Sequence, residues 1–200
     1  MKRIKLTIAV LAILASVAPS LAGELGHVDV RNCTWCHGPS AQGYAPAPRL
    51  AGQRYRYIVN QLRSFNAQRR DNPFSHIYMW PAAANLSPGA AHELAHYLSL
   101  LPPKAAGDGN PALVAMGRAI YQGGVPDSNV AACVACHGPH AQGVGEIPRL
   151  GGLSYSYLRA RLAQWREGYD AGALHPMPHV ASQLTPQEIA ALASYLSFVQ

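Results

Sequence analysis

The 200-residue sequence is short of charge, of lysine and of cysteine. Asp, Glu, Lys and Arg make up 13% of the chain; soluble domains commonly carry about 25%. Past Lys2 and Lys5 the only lysine is Lys104, and every other cation beyond the N-terminus is an arginine. No basic run interleaved with aromatics occurs, which argues against nucleic acid as a partner. After residue 22 no apolar stretch approaches the ~20 residues of a membrane helix. No alternating apolar pattern is long enough for a sheet, so the chain reads as all-α. Cysteine appears at four positions only, 33, 36, 133 and 136.

The N-terminus stands apart. Lys2, Arg3 and Lys5 precede an apolar run, Ile4 to Ala18, and Ser20-Leu21-Ala22 supplies the small residues a signal peptidase reads. Residues 1–22 are therefore expected to be a leader cleaved after Ala22, with retention as an anchor the alternative. Export places the cysteines in an oxidising compartment. Residues 23–106 hold 8 basic and 4 acidic groups, and residues 107–200 hold 5 and 6, so the halves carry +4 and −1. That asymmetry suits docking to protein partners.

The chain repeats itself. Residues 33–62 and 133–162 align without a gap at 15 identities in 30 positions. CHGPSAQG answers CHGPHAQG, and PRLAG answers PRLGG. The register then slips by two, and Leu86-Ser87-Pro88 answers Leu184-Thr185-Pro186. Such a tandem duplication gives domains at 23–100 and 111–200, joined by a Pro- and Gly-rich linker at 101–110.

Helical spacing runs through Tyr57, Ile58, Gln61, Leu62 and Phe65, and again through Tyr157, Leu158, Arg161, Leu162 and Trp165. Ser87 and Thr185 are N-cap candidates ahead of Pro88 and Pro186, and Thr185 with Glu188 completes a capping box. Ala112 to Gln122 reads as a helix with no good counterpart in the first half, where only residues 23–32 precede Cys33 after the leader.

All four cysteines fall in two copies of Cys-x-x-Cys-His, at 33–37 and 133–137. Two disulfides or a four-cysteine zinc site would leave His37 and His137 unexplained. A thioredoxin-like pair would need a βαβ setting. Covalent c-type haem accounts for every residue: Cys33 and Cys36, and Cys133 and Cys136, form thioethers to the porphyrin, and the following histidine ligates iron. Two haems also supply the apolar mass that domains of this size need at their centres.

Each iron then has a second axial position. Met79 lies 42 residues after His37 and Met177 lies 40 after His137. Each precedes its N-cap candidate by eight residues, in a Pro-bearing loop. They are the expected ligands, whereas Met116 sits on an apolar helix and reads as core. His76, His175 and His179 are the competing donors nearby. His27, His92, His96 and His140 read as ordinary surface or helix histidines.

CTWCHGPSAQG with PRLAGQ, CVACHGPHAQG with PRLGGL, the two Met segments and the LSP/LTP helix starts together resemble the dihaem cytochromes c of the cytochrome c4 type, over essentially the whole chain past the leader. The resemblance implies two class I cytochrome c domains related by a pseudo-twofold axis. It implies that Pro48 and Pro148, eleven residues after each haem histidine, hold the imidazole N–H through their carbonyls. Arg49 and Arg149 then become candidates to pair with haem propionates, and Tyr55, Tyr57, Tyr155 and Tyr157 to reach a propionate or the opposite domain. The N-terminal helix usual in such domains is shortened or missing before Cys33, so some other element is expected to cover domain 1.

The functional expectation is a periplasmic electron carrier, not an enzyme. It would take electrons from a redox protein such as a quinol-oxidising complex or dehydrogenase and pass them towards a terminal oxidase. Exposed arginines such as Arg69 and Arg70 are expected to steer docking. The rival reading is a cytochrome subunit of a dehydrogenase complex, in association with the membrane, or a dihaem enzyme with one labile distal ligand.

Overall fold

The computed structural model describes residues 30–170 and 175–200. The expected leader, His27 and the start of the expected first domain at 23–100 lie outside the described residues. Those that are described form helices joined by turns, with isolated β-bridges and no named strand.

In the first half, α1 spans Arg31–His37, α2 Tyr55–Asn66, α3 Trp80–Ala83 and α4 Pro88–Leu100. In the second, α5 spans Val114–Gly123, α6 Val134–His137, α7 Tyr155–Arg166, α8 Met177–Ser182 and α9 Pro186–Phe198. Helices α2 and α4 pack together, as do α7 and α9. Their start signals act as the sequence suggests. Ser87 Oγ accepts from Ala90 N–H, and Thr185 and Glu188 close a reciprocal capping box. Helix α5 has no described counterpart in the first half; it crosses α9 so closely that a Cβ on Gly117 would lie 2.0 Å from the Ala191 carbonyl oxygen.

The linker is strapped to both halves. Gln42 Nε2 donates to Pro102 O and its Oε1 accepts from Lys104 N–H. Further along, Ala106 and Gly107 donate to Gly152 and Ser197 carbonyls. Gly109 approaches α9 so tightly that a Cβ would sit 2.6 Å from Ser194 Cα.

The two halves meet across a polar seam. Asp71 N–H donates to Asp170 Oδ1 at 2.6 Å, and Asp170 N–H donates to Asp71 Oδ1 at 2.7 Å. Gln53 Nε2 donates to Arg149 O, and its Oε1 accepts from Arg149 N–H. Arg54 donates to Gly143 O. Buried Arg161 pairs with buried Asp170 at 2.5 Å.

Two expectations need correction here. Arg49 is only 4% exposed, and its terminal nitrogens donate to the carbonyls of Lys104, Gly151 and Gly152. Its terminal nitrogens fasten linker and second half to the first, so of the guanidinium only Nε is left for any other acceptor. Arg70 is likewise no docking residue: it bonds Gln61 Oε1, and its guanidinium lies 5.0 Å from the Phe65 ring centroid.

Candidate functional site

Each Cys-x-x-Cys-His stretch folds into a helix that ends on its histidine. Helix α1 carries Cys33, Cys36 and His37; in the second half Cys133 is the N-cap of α6, which carries Cys136 and His137. Gly38 and Gly138 follow with φ of 83° and 81°, terminating both helices where an L side chain would be strained. The helical turn puts both thiols of a pair on one stretch of surface. No disulfide joins them; Cys36 and Cys136 are exposed.

The two histidines are buried, at 6% and 5% exposure. His37 Nδ1 lies 2.7 Å from Pro48 O, and His137 Nδ1 lies 3.0 Å from Pro148 O. The carbonyl accepts an N–H at Nδ1, so each Nε2 is left as the basic nitrogen that a metal takes. Burial lowers the pKa of both rings, and the proline carbonyls oppose this in part. The imidazoles are thus neutral donors at physiological pH.

Met79 and Met177 are half-buried and sit in helical segments, not in the irregular loops expected from their prolines. Met79 closes a π-helical turn, Ser75–Met79, leading into α3, and Met177 opens α8. The first turn is nucleated by Asn72, whose Oδ1 accepts from Ser75 N–H. Pro81 and Pro178 fall in the first turns of α3 and α8, where the missing N–H costs nothing. The rival histidines have aromatic neighbours or face solvent. His76 packs on Trp80 with ring centroids 4.0 Å apart, and His175 meets the Trp165 ring edge-on at 5.8 Å. His179 is exposed. His92 is a helix histidine of α4, where Tyr55 Oη lies 2.5 Å from its Nδ1 and Arg63 Nη2 lies 2.9 Å from its Nε2.

Several buried side-chain donors in the two halves have no acceptor within the chain. Arg49 Nε, Arg70 Nε, Asn72 Nδ2, Arg149 Nε and Trp165 Nε1 are buried without an acceptor. All five are donors, and buried donors of this kind require acceptors. A group with an apolar body and anionic edges satisfies them; porphyrin with its carboxylates is such a group. Tyr57 lies in the same seam: burial, with Tyr157 beside it, pushes its hydroxyl up to about 12. The donors, the thiol pairs and the neutral imidazoles fit haem.

The sequence pattern pointed to the cysteines, histidines, methionines and Pro48 and Pro148. It missed Gln53, Asp71, Asp170 and Asn72, whose roles run through backbone groups that leave no side-chain motif.

The family model for cytochrome c matches residues 27–102 and again 114–200. The chain is 37% identical over 169 residues to cytochrome c4 of Thiocapsa roseopersicina, covering 82% of this chain and 85% of that protein. It is 38% identical over 175 residues to a thiosulfate dehydrogenase electron acceptor of Stutzerimonas stutzeri strain A1501, covering 84% and 78%. Its fold superposes on the cytochrome c4 structure of Acidithiobacillus ferrooxidans with a TM-score of 0.78 at 33% identity, covering 84% of this chain and 99% of that one. Two family segments, two attachment helices and full-length likeness to two-domain relatives agree: this chain belongs to the cytochrome c family as a dihaem protein of the cytochrome c4 type, with one covalently bound haem c in each domain.

Proposed function

We propose that the chain is an exported, periplasmic electron carrier whose irons are both six-coordinate, through His37 and Met79 in domain 1 and His137 and Met177 in domain 2. In this reading Cys33, Cys36, Cys133 and Cys136 carry the thioethers, residues 1–22 are removed on export, and residues 101–110 divide the domains. The observation that carries it is the duplication of the same ligand scaffold. Both histidines offer Nδ1–H to a proline carbonyl eleven residues on, and both methionines adjoin a short helix ahead of a capped helix, Met79 as the N-cap of α3 and Met177 as the first residue of α8. Bound haem supplies a one-electron Fe(III)/Fe(II) couple. The chain's own task is to keep the imidazoles neutral and oriented and to fill the second axial position with a soft donor, which raises the potential and keeps substrates off the metal. Among the described residues no helix is long and apolar enough to cross a membrane.

The ferric near-infrared spectrum tests this. Two His/Met haems give a methionine-to-iron charge-transfer band of twice the single-haem intensity; Met79→His and Met177→His each remove half of it. A half-size band in the unaltered protein sinks one of the two assignments.

A terminal oxidase is the acceptor implied by the family resemblance. A second reading, service as the electron acceptor of a dehydrogenase, draws support from the Stutzerimonas stutzeri relative named for that role. Stopped-flow reduction by a purified thiosulfate dehydrogenase separates them: rapid, saturable reduction favours the second reading, and reduction no faster than simple collision favours the first.

A further inference from the structure

Positions 65 and 165 are equivalent in the repeat, yet one is Phe and the other Trp. Phe65 is buried in α2 and asks for no polar partner. Trp165, in α7, brings an indole N–H that is buried and has no acceptor. Leaving such a donor unmatched forfeits its hydration with nothing in return. Phenylalanine would avoid that cost, as it does in domain 1, unless an acceptor arrives from outside the chain.

The indole is held in place by its surroundings. The Arg161 guanidinium stacks over it at 4.2 Å from the centroid, and Arg161 is itself fixed by Asp170 at 2.5 Å. His175 meets it edge-on. The contrast with Trp80 is direct, since the Trp80 N–H already donates to Arg70 O at 2.9 Å. A haem carries hydrogen-bond acceptors at its rim only on its two carboxylates, and Arg149 Nε, another buried donor without an acceptor, lies in the same domain. In domain 1 the corresponding Arg49 has its terminal nitrogens taken by the carbonyls of Lys104, Gly151 and Gly152.

We propose that Trp165 donates its indole N–H to a carboxylate of the domain 2 haem, a contact that domain 1 cannot make at Phe65. The bond partly neutralises an anion near the iron, which favours the reduced state of that haem alone. It separates the potentials of two sites whose histidines are held in duplicate fashion. The inference rests on the covalent haem of domain 2 and is independent of the Met177 assignment and of any partner.

The test uses the holoprotein. Trp165→Phe, which installs the domain 1 residue, is expected to lower one of the two midpoint potentials and leave the other in place. Resonance Raman is expected to show a shifted propionate-bending band for one haem only. In the unaltered protein, the Trp165 indole N–H is expected to exchange with solvent far more slowly than that of Trp35, which is 88% exposed. Unchanged midpoints and an unchanged Raman band in the variant overturn the proposal, even if the N–H is protected, because its acceptor is then not the haem. Exchange as fast as that of Trp35 overturns it without reference to any variant. Loss of the carrier reading would show instead in the axial-ligand band of the unaltered protein, which none of these measurements uses.

Discussion

Helices α4 and α9 are the same element in the two halves, and they live in different surroundings. On α9, Ala191, Ser194 and Tyr195 meet the linker and α5: a Cβ on Gly117 would strike the Ala191 carbonyl, Asn110 N–H donates to Ser194 Oγ, and Tyr121 lies 5.6 Å from the Tyr195 ring. The equivalent residues of α4 are Glu93, His96 and Tyr97, and Glu93 and His96 are exposed. The α4 face equivalent to the α5-covered face of α9 is thus partly polar. Among the described residues that face carries Glu93 and His96 where α9 has Ala191 and Ser194. The cost shows in the core: around Ile58, Val59 and Leu98 the buried cluster is small beside the one around Ile120, Leu162, Leu192 and Leu196. Support for the attachment helix differs too. Tyr121 of α5 donates to Gly138 O just behind α6, whereas in domain 1 the exposed Tyr44 ring lies over Gly38.

Substitutions can sharpen or break this contrast. The largest effect is expected from Asp170→Ala, which strands buried Arg161 and opens half of the aspartate clasp; removing one partner of a buried pair costs about 3–5 kcal/mol. Asp71→Ala removes one accepted hydrogen bond and no ion pair, for about 1 kcal/mol. Differential scanning calorimetry of the two holoproteins measures the difference, and equal losses would mean that the clasp, not the ion pair, dominates the seam. Next comes Gly117→Ala. Its methyl group forces α5 from α9 at a cost of about 1–3 kcal/mol, and Glu93→Ala on the bare α4 face stays within about 0.5 kcal/mol. A large loss for Glu93→Ala would show that this face is covered in the native protein.

Acid provides a third probe. Burial pushes the Asp170 carboxyl up, but Arg161 and the Asp71 backbone N–H outweigh it and hold the group below its usual range. A depressed folded pKa means that the stabilisation is present in full above the ordinary aspartate value, about 3.9. It falls away as pH drops through the lower folded value. Thermal midpoints measured from neutral pH into that range should decline more steeply for the unaltered chain than for Asp170→Asn. The smallest effects belong to the caps: Thr185→Ala loses a two-way capping box and Ser87→Ala a single bond. Both fall in the range of about 0.5–2 kcal/mol, with the former larger.

Much of this was legible beforehand because it is periodic or local. The Cys-x-x-Cys-His stretches, the proline eleven residues on, the capping residues and the repeat itself depend on short spacings. What stayed hidden depends on pairings across the chain. The family resemblance suggested a propionate for Arg49, and its Nε is still without an acceptor, but the backbone carbonyls that take its terminal nitrogens carry no signature in the sequence. Asp71 and Asp170 do not fall at the same place in the ungapped alignment, so their reciprocity could not be read from it. The helical setting of Met79 was obscured by its proline, since a proline starts a helix as well as it ends one.

The aspartate clasp has one further consequence. Each half gives the other the same thing, a carboxylate oxygen for a backbone N–H, and such an exchange is the mark of an isologous contact. Two separate single-haem units bearing it would meet as a homodimer and part again on dilution. Joined by the strapped segment at 101–110, they face each other at an effective concentration on the order of millimolar. A polar seam then has to supply far less binding free energy than a contact between free subunits would.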